Sequence, residues 1–163
     1  MKKTLAVAAA ALLIALAAFI LMPSRPTAPA FQAADLNGQA VGSSSLQGKV
    51  TLLNFWFPSC PGCVSEMPKL IKTAHDYQGK DFQIIGIAVP VDPLASVQNY
   101  AATRRLPFTI VFDGDKNITR SFVKTELYPT SVLLDKQGRI IKTFVGEPDF
   151  AKLYQDINSE LSK

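Results

Sequence analysis

Residues 50–77 constrain this chain more than any other stretch. Val50 to Phe57 (VTLLNFWF) is a nearly unbroken apolar, β-branched and aromatic run, the pattern of a strand buried on both faces. Cys60-Pro-Gly-Cys63 follows at once and opens a helix predicted from about Pro61 to Tyr77, with Gly79 as its stop. Pro61 suits the first helical position, where its missing N–H would have had no partner. Pro68, in the interior, predicts a kink because it removes an intrahelical bond. A buried strand running into a helix through a tight turn points to an α/β packing with both cysteines at the junction.

No other cysteine exists in the 163 residues, so the pair can only act together. As a structural staple it is weak: linking i to i+3 closes a very small loop and removes little unfolded-state entropy. Zinc would need two more ligands, and His75 is the only histidine; a site of both cysteines, His75 and Asp76 lacks motif support. Covalent haem is excluded because Val64, not histidine, follows Cys63. A redox-active dithiol accounts for more. Cys60 stands at a helix N-terminus, where free N–H groups and the helix dipole favour a thiolate. Residues i and i+3 share a helix face, so the sulfurs can bond without moving the backbone far. Cys60, the more exposed, would attack, and Cys63, one turn deeper, would resolve the mixed disulfide. Glu66 lies one further turn along the same face. Periodicity alone makes it a solvated surface glutamate; the chemistry makes it a proton acceptor for Cys63.

The rest of the chain completes an alternating pattern. Phe31 to Val41 predicts two short strands about an Asn37-Gly38 turn. Ser43 to Gly48 reads as a turn or one helical turn. Strands follow at Phe82–Val89 and Phe108–Phe112, with a helix from Asp92-Pro93 to about Arg104 between them and Pro93 in its first turn. Asn117–Phe122 predicts a short helix. Thr130–Leu134 and Ile140–Val145 flank the Asp135-Lys-Gln-Gly138 hairpin, and Pro148–Leu161 forms an amphipathic helix with Phe150, Leu153, Ile157 and Leu161 on one stripe. Strand–helix–strand–helix–strand, then a hairpin and a last helix, is an α/β sandwich with a mixed sheet. A dithiol at the first central strand makes it the thioredoxin layout.

The N-terminus reads as a targeting segment. Lys2 and Lys3 precede 18 uncharged, apolar residues from Leu5 to Met22. That run exceeds a signal-peptide core of ~7–15 residues and meets the ~18-residue criterion for a spanning helix. The expectation is an uncleaved anchor over residues 1–22, a Pro-rich linker over 23–29 and a domain over 30–163, held at a bacterial inner membrane on its periplasmic side. Ala28-Pro29-Ala30 has the small-x-small form of a cleavage site, so a soluble periplasmic product is the alternative. The formal charge of +4 owes three basic residues to Lys2, Lys3 and Arg25, leaving 14 basic against 13 acidic residues from Phe31 onward. Scattered basic residues argue against a nucleic-acid partner.

NFWFPSCPGCVSEMP resembles the active-site segment of the TlpA- and ResA-type membrane-tethered thioredoxin-like proteins, whose form is F-W-x-x-W-C-x-x-C-x-x-E-x-P. The likeness extends from Pro29 to about Leu161 through Phe31, D-L-N-G, L-Q-G-K-V and Y-P-T-S-V-L-L-D-K-Q-G. It implies a cis-proline at Pro129 beside the disulfide, with Tyr128 and Trp56 joining it in positioning substrate. It also implies a functional acid at Glu66, and an inserted βα excursion over Val89–Asp113. Asn54 stands where general thioredoxins carry a buried aspartate. No cofactor is implied. The expected partners of this monomer are disulfide-bearing envelope proteins of the cytochrome c or copper-site assembly kind, and a membrane thiol donor. Ser59 and Pro58 before the first cysteine, and the order Pro61-Gly62, depart from the family pattern and leave the redox direction open. A disulfide-forming oxidase and a metal-delivery protein are the alternatives. A peroxidase is disfavoured because Phe57 stands where a threonine would be needed.

Overall fold

The computed structural model describes residues 25–163; the expected anchor at 1–22, and Pro23 and Ser24 after it, lie outside them. Among the described residues no helix is long and apolar enough to cross a membrane. β1 (Gln32–Ala34) and β2 (Ala40–Gly42) form a hairpin of their own. At its turn the Asp35 carboxylate accepts from the N–H groups of Asn37 and Gln39, at 2.8 Å each. A 3-10 turn over Ser43–Leu46 leads into β3 (Val50–Trp56), buried at every residue as its composition predicts.

β3 lies at the centre of a five-stranded mixed sheet. On one side it pairs in parallel with β4 (Phe82–Ala88), which pairs in parallel with the edge strand β5 (Thr109–Phe112). On the other side β6 (Thr130–Leu134) and then β7 (Ile140–Val145) run antiparallel. α1 (Pro61–Asp76), α2 (Leu94–Arg104), α3 (Asn117–Phe122) and α4 (Phe150–Leu161) complete the domain. The two faces of the sheet carry separate cores. Leu52 and Trp56 pack with Met67 and Leu70 of α1, Val97 of α2, and Leu153 and Ile157 of α4. Leu53 and Phe55 face the other way, with Ile118 and Phe122 of α3 and Phe31 before β1. Each such aliphatic burial is worth ~1.5–3 kcal/mol, so the alternation along β3 fixes which helix lies on which face.

As expected, α1 runs on through Pro68, which lies on the exposed side, where water can replace the missing bond. Two local expectations change. α2 begins at Leu94, with Pro93 as an extended cap rather than a first-turn residue. The Asp92 carboxylate accepts from Ser59 N–H at 2.7 Å. The stretch read as a linker is attached to the domain from Arg25 on: Pro26 C=O accepts from Ile140 N–H at 2.8 Å, and Ala28 N–H donates to Gly138 C=O at 2.9 Å. The expected excursion at Val89–Asp113 supplies α2 and the edge strand β5.

Candidate active site

Cys60 is the N-cap of α1 and Pro61 its first residue, so the helix dipole ends at the first sulfur. Cys60 and Cys63 form a disulfide with Cα atoms 5.2 Å apart. The Cys63 N–H donates to Cys60 Sγ at 3.1 Å, a contact that would stabilise a Cys60 thiolate once the bond opens. The expected order of exposure holds narrowly, 3% for Cys60 against 1% for Cys63, but both are buried in the oxidised state. Phe57 and Tyr128 pack against the same cluster as the sulfurs, with their rings edge to face at 5.6 Å.

The Tyr128–Pro129 bond is cis, as the family resemblance implies. Pro129 sits directly against the turn between the cysteines: a Cβ on Gly62 would come 3.1 Å from Pro129 Cδ. Glycine at position 62 therefore lets the proline platform close on the dithiol. The Tyr128 hydroxyl is buried without a hydrogen-bond partner, and burial raises its pKa, helped by the charges of Glu126 and Asp113.

Trp56 does not join this platform. It is fully buried in the α1 face of the core, 5.1 Å from the Tyr100 ring of α2, and its Nε1 faces Gly86. The alternation of β3 turns residue 56 toward the inside, so Trp56 supports the floor of the site rather than a substrate.

Glu66 is fully buried, and neither carboxylate oxygen has a hydrogen-bond partner. The surface position that periodicity permits is thereby replaced by an interior one. Burial pushes its pKa from 4.5 to about 8; the charge of Glu147 adds to the rise, while Asn54 and Lys69 oppose it. Asn54, from β3, is itself buried and gives its amide hydrogen bond to Ser131 Oγ of β6 at 3.0 Å, so its hold on Glu66 is only partial. A protonated acid one helical turn beyond Cys63 is suited to exchanging a proton with that thiol near neutral pH.

His75 is exposed in the last turn of α1, twelve residues beyond Cys63. At 1.5 Å per residue it lies roughly 18 Å from the sulfurs, too far to complete a zinc site with them. Asp92, Lys69 and Glu147 were not singled out in the sequence. Asp92 and Glu147 reach the site from separate segments with no spacing motif to announce them, whereas Lys69 stands on α1 itself, three residues beyond Glu66.

Residues 24–157 match the sequence profile of the Redoxin family. The thiol–disulfide oxidoreductase ResA of Halalkalibacterium halodurans is 33% identical over 112 residues, covering 69% of this chain and 62% of that protein, just under two thirds of its length. ResA of Bacillus thuringiensis is 32% identical over 120 residues, covering 74% of this chain and 68% of that protein. A solution structure described as a candidate thioredoxin from Neisseria meningitidis is 56% identical, covers 86% of this chain and 93% of that one, and superposes with a TM-score of 0.79.

Proposed function

The chain belongs to the Redoxin family, and on that premise we propose that it is an exported thiol–disulfide oxidoreductase of the ResA type that reduces protein disulfides. The observation that carries this reading is the Cys60–Cys63 couple at the α1 N-terminus, closed over by cis-Pro129 and backed by buried Glu66. In the reduced enzyme the Cys60 thiolate attacks a client disulfide and forms a mixed disulfide. Cys63 then displaces the client thiolate and restores the intramolecular bond.

Protein clients, rather than small thiols, suit the surroundings. The large apolar residues that stand exposed among those described are Val91, Leu94, Leu127 and Val145. Val91 and Leu94 flank Asp92, which is bonded to Ser59; Leu127 precedes the cis-proline pair, and Val145 pairs with Thr130. Clients of the cytochrome c or copper-site assembly kind, a membrane thiol donor and an anchor at residues 1–22 follow from the resemblance and the apolar N-terminus, and belong to this proposal.

The test is the equilibrium potential of the couple in glutathione or dithiothreitol buffers. A reductase should lie nearer ~−270 mV than ~−120 mV. A value at the oxidising end transfers the protein to disulfide formation. Cell fractionation tests the anchor: the full chain should stay with membranes through a salt wash, and a soluble form beginning at Phe31 would overturn that part.

A further inference from the structure

We propose that Glu147 and Lys69 are positioning residues for the thiol chemistry: their ion pair sets how readily Glu66 takes the Cys63 proton. The proposal rests on the reading of Glu66 as the acid–base group of the couple. Glu147 lies in the loop between β7 and α4, eighty-one residues after Glu66 in the sequence. That loop is fixed: Gly146 N–H donates to Pro129 C=O at 2.8 Å, so Glu147 follows a residue bonded to the cis-proline. Lys69 stands one turn beyond Glu66 on the same face of α1. Its Nζ forms an ion pair with the Glu147 carboxylate and lies 5.7 Å from the centre of the Phe150 ring.

The groups around Glu66 are then few. From β3 it meets the neutral amide of Asn54, engaged with Ser131 of β6. From its own helix the charge of Lys69, three residues on, acts on it, with Cys63 one turn back; the charge of Glu147, paired with that Lys69, acts on it from the β7–α4 loop. The two ionic neighbours act in opposite directions. The carboxylate of Glu147 resists ionisation of Glu66, and the ammonium of Lys69 favours it. Because Glu66 has no hydrogen bond of its own, these long-range charges weigh more on it than they would on a satisfied carboxylate.

The step they tune balances as follows. The Cys63 thiol passes its proton to the Glu66 carboxylate, and the Cys63 sulfur attacks Cys60 Sγ of the mixed disulfide. The Cys60–Cys63 bond forms and the Cys60–client bond breaks. Its electron pair leaves on the client sulfur, which takes a proton from water. The client gains two electrons and the enzyme dithiol loses them.

The experiment compares the full chain with Glu147→Gln, Lys69→Gln, Glu66→Gln and the Glu66→Gln/Glu147→Gln double variant. Two quantities are read: the Glu66 carboxyl titration, by carbon NMR of labelled glutamate, and the pH profile of disulfide exchange. Glu147→Gln should lower the Glu66 midpoint by several tenths of a pH unit and shift the exchange profile with it. Lys69→Gln should raise the midpoint, because it removes the opposing charge. In the Glu66→Gln background, Glu147→Gln should leave the profile where it is. If Glu66→Gln slows exchange but Glu147→Gln and Lys69→Gln leave the titration unmoved, the pair has no such role and the proposal falls while Glu66 keeps its own. If Glu66→Gln exchanges like the wild type, the role of Glu66 falls and takes the proposal with it.

Discussion

Glu66 must ionise in a space that offers it no hydrogen bond, and this has a cost that depends on pH. Its folded pKa of about 8 lies above the 4.5 of an exposed glutamate. Below pH 4.5 the group is protonated in both states and burial carries no ionic penalty. As the pH rises from 4.5 to about 8 the unfolded chain ionises first, so stability is lost across that window. Glu66→Gln removes the effect. The oxidised variant should match the wild type below pH 4 and exceed it by roughly a few kcal/mol above pH 8. Chemical unfolding at the two pH values measures this, and an equal difference at both would contradict the buried ionisable role. In the reduced form the same variant should lower the apparent thiol pKa, since a neighbouring negative charge is gone, and slow exchange. The sulfurs are tested separately. Cys63→Ser should trap clients as stable mixed disulfides through Cys60, whereas Cys60→Ser should trap none; trapping by Cys60→Ser alone would reverse the assignment.

β3 and α1 act as one element pair, because the strand ends where the dithiol begins and its alternation decides what lies beneath. Asn54 and Trp56 both face α1, one under Glu66 and the other beneath α2. The close passage of β4 under Trp56 requires glycine at position 86: a Cβ there would come 3.0 Å from Trp56 Nε1 and 2.7 Å from Ile110 Cδ1. The isoleucine end can turn aside, but the indole, fully buried, has little room. Gly86→Ala should therefore destabilise the fold by ~1–3 kcal/mol through overpacking. Its exchange chemistry should stay near wild type, since the sulfurs, Pro129 and Glu66 are untouched. Denaturant midpoints and exchange rates separate the two effects. Unchanged stability would mean that the Trp56 floor is looser than the packing implies.

At the scale of the whole molecule, both ends of the described chain are joined by one charged cluster. Arg25 Nη1 and Nη2 each donate to a Glu160 carboxylate oxygen at 2.8 Å, and Arg25 also reaches Asp135, which holds Arg139. The strap ties the N-terminal segment to α4 and to the β6–β7 hairpin. The Arg25 hydrogen bonds hold the Glu160 pKa down at about 2, against 4.5 for an exposed glutamate. Because the folded value is the lower one, the strap contributes its full stability above pH 4.5 and loses it as the pH falls toward 2. Arg25 is a third exposed, so the contribution is discounted for solvent screening to ~1–2 kcal/mol. Arg25→Gln should lower stability by that amount at pH 7 and converge on the wild type near pH 2. A loss that persists undiminished in acid would show that the arginine acts through packing alone.

Local signals in the sequence were sufficient for the elements and for the chemistry's identity. The apolar run of β3, the proline after Cys60, the Asp135–Gly138 turn and the stripe of α4 each act over a few residues, where backbone sterics and hydrophobic periodicity decide the outcome. The i, i+3 spacing of the cysteines is of the same kind, and the family motif then pointed to Glu66 and Pro129. Periodicity could not say which face of α1 meets the sheet beyond Cys63, so the burial of Glu66 had to wait for the packing of Asn54 and Ser131. Nor could it turn Trp56 inward from the substrate platform, or attach Arg25 to Glu160 across 135 positions of chain. Glu147 shows the limit most clearly. It is one more polar residue after a glycine until β7 pairs with β6 and carries it to Lys69, because side-chain charges act through space and only the assembled sheet brings these segments within reach.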